Sequence, residues 1–364
     1  MSRTCCWRAS FNDENTYGRR ALAYPPIERV LACSSTRASP LVVPGSPHAL
    51  PVDRGDFFDL TWLPSGWLVV SYDPSPAKPG RTSEVWRLRP DGSSFARIPI
   101  PSDPACWQTE YLFPSALQDG RFAVTKHCAA PPGTVPDAQI SVVSSDVEGA
   151  STETLAQPPL SINPGTKSWN QAANRGIVDY GSSICENIVW ITRAGVETIP
   201  VTIGDGARSW RLDDPRLSDP TQCGDPRVGR AQAPAWSGDG KMIAFLGSPE
   251  TIGLRGQQRL GASWNLYLMD PRNLQLRRVL DGIRGGGNLT WSPDSRFLAL
   301  NSDVPGKGPG TWVVAASDGH LQRVGKDTLS SLSFSPDGKS IAGILDEGRG
   351  FPPQAQIVIL DLPH

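Results

Sequence analysis

The sequence of residues 289–302 is LTWSPDSRFLALNS, in which two short apolar runs flank a Ser-Pro-Asp-Ser turn. Nearly the same pattern stands at 234–247, PAWSGDGKMIAFLG, and at 332–345, LSFSPDGKSIAGIL. Proline presets φ at the second position of a tight turn, and glycine or a small polar residue can take the positive φ that follows. Each copy therefore predicts a strand ending in an aromatic residue, a tight turn and a second apolar strand.

Weaker copies of this unit lie upstream. The segment 60–72, LTWLPSGWLVVSY, keeps the tryptophan, the proline and the turn glycine. The segment 117–127, LQDGRFAVTKH, keeps the Asp-Gly turn and the second strand, whereas 174–180, NRGIVDY, keeps only Gly176 and a short apolar run. With these copies the unit occurs six times.

A further run with an aromatic or β-branched centre follows each copy. These runs occupy 83–92, 139–149, 187–195, 265–273, 311–319 and 356–362. Most are followed by another short apolar stretch, and repeated four-stranded units of about 40–45 residues are typical of a β-propeller. The sequence therefore predicts an all-β fold, a six-bladed β-propeller with four-stranded antiparallel blades. The predicted blades lie at approximately 55–100, 104–160, 165–203, 230–282, 285–325 and 328–364.

The sixth unit has only three predicted strands. Because an unpaired blade edge invites aggregation, we predict that the apolar residues 40–45 close the last blade as an N-terminal strand. The alternative is a three-stranded blade beside a loose N-terminal segment. The predicted propeller domain is 40–364, and 1–39 is predicted to be a disordered segment or the remnant of a signal or tether.

The strings WSPDS-RFLAL and FSPDG-KSIAGI resemble the WD40-like propeller repeats of the TolB type. The resemblance is strong over 234–364, fair over 60–100 and weak over 104–203. It implies the propeller fold and a habit of binding partners or ligands on one propeller face. It implies no reaction, because this fold hosts many functions. The additional N-terminal α/β domain of TolB is not expected, since the first 52 residues are few and rich in Pro and Ser.

Composition argues against several classes of protein. The 35 Lys and Arg residues nearly balance the 36 Asp and Glu residues, which argues against a strongly basic nucleic-acid binder. No window reaches the roughly 18 apolar residues of a membrane-spanning helix. The four histidines are scattered, and no G-x-S-x-G, P-loop or HExxH motif occurs. No catalytic, metal or cofactor residue is predicted.

Loop lengths indicate a binding surface. Turns between first and second strands are short, whereas connections between second and third strands and the link 201–233 are long. In an up-and-down blade these two classes of long connection lie on the same face of the disc. Binding and catalytic residues are often found on variable loops that a rigid scaffold holds in place. We therefore predict binding on this long-loop face. Three tryptophans do not fit the repeat pattern and are predicted to lie in loops. The predicted binding residues are these tryptophans, Trp107, Trp169 and Trp210, together with Arg211, Asp213, Asp214, Arg255 and Arg259.

Cysteine positions bear on the compartment. The blade assignment places Cys106 with Cys128, and Cys185 with Cys223, on the same long-loop face, which predicts two disulfides and an oxidising compartment. Reduced buried thiols are the alternative. The string VLACSS (30–35) resembles a bacterial lipoprotein cleavage box, so that Cys33 is a possible lipidation site. Residues 1–32, however, lack the apolar core of a signal peptide, about 7–15 residues long.

The sequence thus favours a monomeric, non-catalytic binding or interaction module of a bacterial-type extracytoplasmic protein, either periplasmic, a cell-surface lipoprotein or secreted. Its expected partner is a protein or a small polar or glycan ligand, with no nucleic acid and no transmembrane segment. The alternative is a six-bladed propeller hydrolase, lactonase or glycan-active, with its site at the mouth of the channel. Convergent carboxylates or amides there would favour that alternative.

Overall fold

A computed structural model describes residues 48–50, 56–74, 83–101, 106–129, 139–158, 164–180, 187–205, 208–213, 230–248, 263–285, 288–346 and 355–363. Within those ranges the secondary structure consists of strands, with no helix. The chain divides into two units, 1–41 and 42–364. The first unit lies outside the described residues, and with it the predicted N-terminal segment and Cys33. Within the described residues there is no helix of the length and hydrophobicity that a membrane span needs.

The described residues form 26 strands, numbered here in chain order. The first thirteen are β1 (His48–Ala49), β2 (Asp56–Trp62), β3 (Leu68–Asp73), β4 (Glu84–Leu88), β5 (Phe95–Arg97), β6 (Gln108–Ala116), β7 (Phe122–Ala129), β8 (Gln139–Ser145), β9 (Thr152–Ala156), β10 (Pro164–Asn170), β11 (Arg175–Tyr180), β12 (Asn187–Thr192) and β13 (Gly195–Glu197). The others are β14 (Thr202–Asp205), β15 (Arg208–Arg211), β16 (Arg230–Trp236), β17 (Ile243–Ser248), β18 (Ser263–Met269), β19 (Leu276–Arg284), β20 (Leu289–Trp291), β21 (Phe297–Val304), β22 (Gly308–Ala315), β23 (Leu321–Gly325), β24 (Ser330–Phe334), β25 (Ser340–Asp346) and β26 (Ala355–Asp361).

Most of these strands pair as antiparallel four-stranded meanders. Four separate sheets have the orders β2-β3-β4-β5, β6-β7-β8-β9, β10-β11-β12-β13 and β24-β25-β26-β1. Two further meanders, β16 to β19 and β20 to β23, join into one eight-stranded sheet through the single pair Arg284↔Asp303. The described strands therefore contain six meanders, and the small hairpin β14-β15 lies between the third and the fourth.

The six meanders form a closed ring. Their first strands contact one another in cyclic order, β2 to β6 to β10 to β16 to β20 to β24 and back to β2. Such a ring of radially repeated antiparallel sheets, whose first strands surround a central channel, is the architecture of a β-propeller. The predicted all-β propeller with four-stranded antiparallel blades is confirmed.

An N-terminal strand closes the last blade, as predicted, but at a different place. Strand β1 pairs with β26 through His48↔Ile359 and Ala49↔Val358. The backbone N–H of Leu50 donates to the carbonyl oxygen of Ile357 at 2.9 Å, and the Leu50 side chain is buried in the adjoining core. Residues 40–45 were predicted because they are apolar. The closing strand that the structure describes consists of only two ladder pairs, followed by the buried Leu50. Residues 40–45 lie outside the described residues.

The repeated turn between first and second strands is held by its serine and aspartate. In the fifth blade Ser292 Oγ donates to Asp294 Oδ1 at 2.6 Å and accepts from the N–H of Phe297 at 2.9 Å. The same bonds recur in the fourth and sixth blades. Ser295 has a φ of 58°, at the position where the other two copies have glycine. The serine and aspartate side chains of these turns therefore hold the backbone in the turn conformation that the sequence predicted.

Candidate functional site

The central channel widens into a cavity of about 480 Å³ at the end where the turns between first and second strands meet. Its wall comes from the C-terminal halves of the first strands, and its rim comes from those turns. The lining residues include Asp59, Thr61, Trp62, Pro64, Phe113, Ser115, Gln118, Ser168, Ala235, Trp236, Asn288, Thr290, Trp291, Ser331, Ser333, Phe334 and Pro336. Ligand pockets commonly occupy about 300–1,000 Å³, so this cavity has the size of a binding site.

A belt of small hydroxyl side chains surrounds the cavity. They occupy the position in the first strand immediately before that of the repeat aromatic. Five of the six blades carry Thr or Ser at this position. The belt consists of Thr61, Ser115, Ser168, Thr290 and Ser333, with Ala235 as the sixth member. One position of the repeat therefore supplies a similar neutral polar group from nearly every blade.

These hydroxyl groups also join neighbouring blades. Ser333 Oγ accepts from the backbone N–H of Trp62 at 2.9 Å, and Thr61 Oγ1 accepts from that of Ala116 at 3.2 Å. Ser168 Oγ accepts from the N–H of Trp236 at 3.0 Å. Each bond runs from one blade to the first strand of the next. The hydroxyl belt is therefore part of the ring's closure as well as part of the cavity wall.

Some donors around the cavity have no partner. The indole N–H of Trp291 donates to the carbonyl oxygen of Ala235 at 2.9 Å. The equivalent indole N–H groups of Trp62 and Trp236, and Ser115 Oγ, are buried and make no hydrogen bond to any residue that the structure describes. Buried polar groups are nearly always paired, and unpaired ones mark places where a water molecule or a ligand can complete the bonding.

Three first strands are strained where they line the channel. Phe113, Ala233 and Ser331 have φ values of 54°, 54° and 53°, and each lies at a break in strand register. A left-handed residue other than glycine costs roughly 1–2 kcal/mol. Neighbouring blades fix two of them, because Ala233 N donates to Asp179 Oδ2 at 3.0 Å and Ser331 Oγ accepts from Leu60 N at 2.7 Å. Such strain is concentrated at functional sites.

Among the described lining residues, one carries a charge. Asp59 is only 7% exposed, and its Oδ1 accepts from Asn288 Nδ2 at 3.2 Å. No group of three or more His, Cys, Asp or Glu residues within the described ranges is arranged to hold a metal ion. The wall is thus neutral and hydrogen-bonding, with a single carboxylate.

The rim of the cavity is tied together by bonds between turns. Gln118 Nε2 in the second blade donates to the carbonyl oxygen of Gly238 in the fourth at 3.2 Å. Asp119 N donates to Gln171 Oε1 at 2.9 Å, which joins the second blade to the third. Gln118 is exposed. It is therefore the rim residue best placed to change access to the cavity.

The structure separates the three tryptophans predicted to lie in loops. Trp107 is 59% exposed and begins the second blade. Trp169 and Trp210 lie in strands β10 and β15 and are only 6% and 5% exposed, so their predicted placement in loops was wrong. Trp169 is the third blade's copy of the repeat aromatic. It was missed because the turn after it, Asn-Gln-Ala-Ala-Asn, lacks the Ser-Pro-Asp-Gly signal.

The charged residues predicted for binding are only partly described. Arg211 Nη2 lies 2.6 Å from Asp213 Oδ2, and the hydrogen bonds that the exposed Arg211 guanidinium donates to the Asp213 carboxylate raise the pKa of Arg211. Asp214, Arg255 and Arg259 were also predicted to bind a ligand or partner, and these three residues lie outside the described residues. Most of the predicted loop 201–233 does as well, although its start forms the hairpin β14-β15, in which Trp210 joins the core.

The predicted disulfide between Cys106 and Cys128 is confirmed. Its S–S distance is 2.06 Å and its Cα atoms are 5.2 Å apart. It fastens the start of the second blade to the end of β7. The second predicted pair, Cys185 with Cys223, lies outside the described residues.

The cavity itself was not predicted, although the sequence holds a signal for it. In each strong copy of the repeat the residue before the terminal aromatic is small, as in Thr-Trp, Ala-Trp and Ser-Phe. Since side chains alternate along a strand, an aromatic that packs between blades turns the residue before it toward the channel. A ring of small hydroxyl residues facing the channel could have been read from that dipeptide.

No protein-family model matches the chain, and no curated protein matches it. Among solved structures, an α-L-arabinofuranosidase from Fusarium graminearum is similar with a TM-score of 0.54 and 13% identity, over 87% of this chain and 97% of that one. TolB from Acinetobacter baumannii gives a TM-score of 0.49 and 14% identity over 84% of this chain. An oligogalacturonate lyase gives 0.48 and 12%, over 85% of this chain and 90% of that one.

This chain spans 63% of the length of the Acinetobacter TolB. At such low identities structural similarity shows the fold alone, and propellers of this kind include enzymes as well as TolB. By its closed ring of antiparallel four-stranded sheets, the chain is a β-propeller.

Proposed function

We propose that this propeller is a non-catalytic binding module, and that its ligand enters the channel cavity at the end where the first turns meet. The observation that carries this proposal is the wall of the cavity, a belt of neutral hydroxyl groups with one carboxylate, Asp59. Binding sites use a few convergent polar groups in a mainly apolar pocket to fix a ligand's orientation. The belt and the aromatic side chains behind it have that composition.

The wall also bears on the alternative of a hydrolase. Glycoside hydrolysis generally uses two carboxylates, one on each side of the scissile bond. The described lining residues supply Asp59, which is already engaged by Asn288. A binding role therefore fits the wall better than a hydrolytic one.

The long-loop face stays a second candidate for binding. Trp107 is the observation that favours it, because its side chain is 59% exposed and tryptophan is enriched at binding hot spots. The Cys106–Cys128 bond holds the adjacent backbone and would preorganise such a contact. The predicted surface around 201–233 belongs to the same candidate.

An extracytoplasmic location is part of the proposal. The Cys106–Cys128 disulfide supports it, since disulfides persist in oxidising compartments and are rare in cytosolic proteins. Periplasmic, lipoprotein and secreted forms are all compatible with one disulfide. Mass spectrometry of the mature protein from cells would distinguish them by the residue at which it begins and by any attached lipid.

The test of the binding site compares two changes at one rim residue. Gln118→Trp should plug the mouth of the cavity, and Gln118→Ala should leave it open while removing the same bond to Gly238. Ligands would be detected by native mass spectrometry after incubation with cell-envelope and metabolite extracts. We expect a bound species with the wild type and Gln118→Ala but not with Gln118→Trp.

Trp107→Ala serves as the control for the other face. A species lost only from Trp107→Ala would move the site to the long-loop face and refute the cavity proposal. A species whose mass changes on prolonged incubation with the wild type would show turnover and favour the hydrolase. Recovery of the unchanged ligand supports a binding module.

A further inference from the structure

We infer that the ligand of the cavity is an amphiphile, whose polar head meets the hydroxyl belt and whose aliphatic part leaves the mouth along the fifth, sixth and first blades. The inference rests on the proposed binding function and gives the chemical class of its ligand. It is argued from the two residues that each blade places at the belt and at the rim.

The residue at the tip of each turn follows the belt residue by three positions. Since a strand rises about 3.3 Å per residue, the belt lies up to about 10 Å inside the rim. The belt and rim residues pair as Thr61 with Pro64, Ser115 with Gln118, Ser168 with Gln171, Ala235 with Gly238, Thr290 with Pro293, and Ser333 with Pro336. One repeat position therefore carries proline in three blades, glutamine in two and glycine in one.

The three prolines belong to neighbouring blades. The first strands of the fifth, sixth and first blades, β20, β24 and β2, contact one another in that order. Pro293, Pro336 and Pro64 are all exposed, and all three line the cavity. A Cβ atom on Gly338 in the sixth blade would lie 3.7 Å from Pro293 Cδ in the fifth, so these two turns are close together. The three rings form an apolar proline arc along one side of the rim.

The other side of the rim is polar and bridged. The bond from Gln118 Nε2 to the carbonyl oxygen of Gly238 passes from the second blade to the fourth, and Asp119 N donates to Gln171 Oε1 in the third. A bond between the second and fourth blades covers the third blade's share of the mouth. The open part of the mouth therefore borders the proline arc.

Charges beside the proline arc are held within their own turns. Asp294 Oδ2 accepts from Arg296 Nε at 2.7 Å, and Asp337 Oδ1 accepts from Ser335 Oγ at 2.6 Å. The prolines line the described cavity, whereas the aspartates that follow them do not. A group that leaves the cavity over the arc therefore meets proline ring carbon atoms before it meets a charge.

The belt below the proline arc can still form hydrogen bonds. Thr61 and Ser333 each accept one backbone N–H from a neighbouring blade, and a hydroxyl group that accepts one bond keeps a proton to donate. Thr290 lines the cavity, and its hydroxyl makes no hydrogen bond to a residue that the structure describes. The open side of the channel is therefore hydrogen-bonding inside and apolar at its mouth.

This order of polarity selects an amphiphile. A ligand that is polar throughout would gain nothing from the proline arc. A hydrocarbon would leave the hydroxyl groups of the belt without partners, which is costly once water is displaced. A molecule with a hydroxyl-bearing head and an aliphatic tail satisfies both parts when its head enters first.

Two prolines in matching turns provide the test of the tail. Pro336 and Pro90 both stand in a Pro-Asp-Gly turn, closed by a bond of 2.9 Å from the glycine N–H to the carbonyl oxygen of Ser335 or Arg89. The glycines have φ values of 71° and 73°. Pro90 lies between the third and fourth strands of the first blade and does not line the described cavity. Pro336→Ser and Pro90→Ser therefore have a similar effect on the turn and differ at the mouth.

The probes are the alkane-1,2-diols from butane to octane, titrated as monomers by ligand-observed NMR. Complete burial of a methylene group tightens binding roughly fourfold, so a half-covered tail should gain about twofold per methylene and about 16-fold over the series. Pro336→Ser should reduce the gain over the series to about fourfold or less, because the middle ring of the arc is lost. Pro90→Ser should keep the gain of the wild type.

Thr290→Val tests the head. It replaces a hydroxyl group by a methyl group of similar size and removes no hydrogen bond between described residues. We expect it to weaken every diol about 2–10-fold, the effect of one lost neutral hydrogen bond, and to keep the gain per methylene. The two variants therefore separate the head from the tail.

Several results would overturn the inference. They are the absence of binding by any diol, an affinity that does not depend on chain length, equal gains in Pro336→Ser and Pro90→Ser, and unchanged binding in Thr290→Val. If one of these occurs while a species from the extracts is still held by Gln118→Ala and excluded by Gln118→Trp, the cavity stands as the binding site and the ligand class is wrong. If Gln118→Trp excludes neither the diols nor any species from the extracts, the cavity proposal itself fails.

Discussion

Replacing Gly176 by alanine tests how tightly the repeat aromatic is packed in the third blade. Gly176 lies directly opposite Trp169 on one side and Ile191 on the other. A Cβ atom there would stand 2.5 Å from Trp169 Cε3 and 2.9 Å from Ile191 Cγ2. Normal carbon contacts are about 3.5–4.0 Å, so the indole would have to move by about 1 Å.

The indole has nowhere to move without loss. Trp169 is buried in a core cluster with Val178, Val189 and Ile191. Forcing an extra methyl group into such a core costs about 1–3 kcal/mol. At about 2 kcal/mol the midpoint of thermal unfolding should fall by on the order of 5 °C in a chain of this size.

The assay is thermal and urea unfolding of the wild type, of Gly176→Ala and of the same change in a Trp169→Leu background. Leucine removes the ring atoms that the methyl group would meet, so Gly176→Ala should cost at least 1 kcal/mol less there. An equal cost in both backgrounds would refute the packing argument. Unchanged stability on Gly176→Ala would refute the register of β10 and β11.

Three further predictions concern the turns and the disulfide. Gly238→Pro should raise the free energy of unfolding by about 0.4–1 kcal/mol in urea titrations, because the equivalent turn residue is Pro293 and proline restricts the unfolded chain. Exchange of Cys106 and Cys128 for serine should lower the free energy of unfolding by about 3 kcal/mol, because the bond closes a loop of 22 residues and so restricts the unfolded chain. Mass spectrometry under non-reducing conditions should show that the cross-link is absent. Hydrogen bonds from Ser335 and from the backbone of Lys339 lower the pKa of Asp337. Its contribution to stability is therefore present above the ordinary carboxyl pKa near 4 and is lost as the pH falls through the lowered value, so that Asp337→Asn should flatten the acid limb of a stability profile below pH 4. A lower free energy of unfolding for Gly238→Pro would contradict the first argument, and an unchanged free energy of unfolding without the disulfide would contradict the second. A steeper dependence of stability on pH below 4 for Asp337→Asn would contradict the third.

The sequence was sufficient for the fold because the repeat is local. Every strong copy joins an aromatic strand end to a turn whose serine, aspartate and glycine have one compatible backbone geometry. Strands on either side of such a turn pair antiparallel, and repeated four-stranded units of about 40–45 residues are typical of a β-propeller. The prediction failed where the local signal is weak, at the third blade's turn after Trp169. The closing N-terminal strand was predicted and is present, but it lies at β1, where no apolar run indicates a strand and two ladder pairs with Leu50 close the ring.

The site was harder to predict than the fold because two kinds of evidence point to different faces. Long loops indicated one end of the disc, and Trp107 is exposed there. Trp210, expected in the same loops, is instead part of a core hairpin, because a long connection can contain strands that cover the blades. Exposure depends on contacts between distant segments, which loop length does not encode.

The cavity and the ring use one set of residues, which has a consequence for how the site can vary. Three hydroxyl groups of the belt, those of Thr61, Ser168 and Ser333, accept a backbone N–H of the next blade. Serine and threonine are therefore interchangeable at these positions, whereas valine would leave a buried donor unpaired at a cost of about 1–3 kcal/mol. Ser115 Oγ makes no such bond to a described residue, and at Ala235 the indole N–H of Trp291 donates to the carbonyl oxygen instead. Gln118 on the rim is under no such constraint, because it is exposed and its side chain makes one bond, to the carbonyl oxygen of Gly238. Ligand preference can therefore change through Gln118 while these three hydroxyl groups are kept by the requirement that the propeller remain closed.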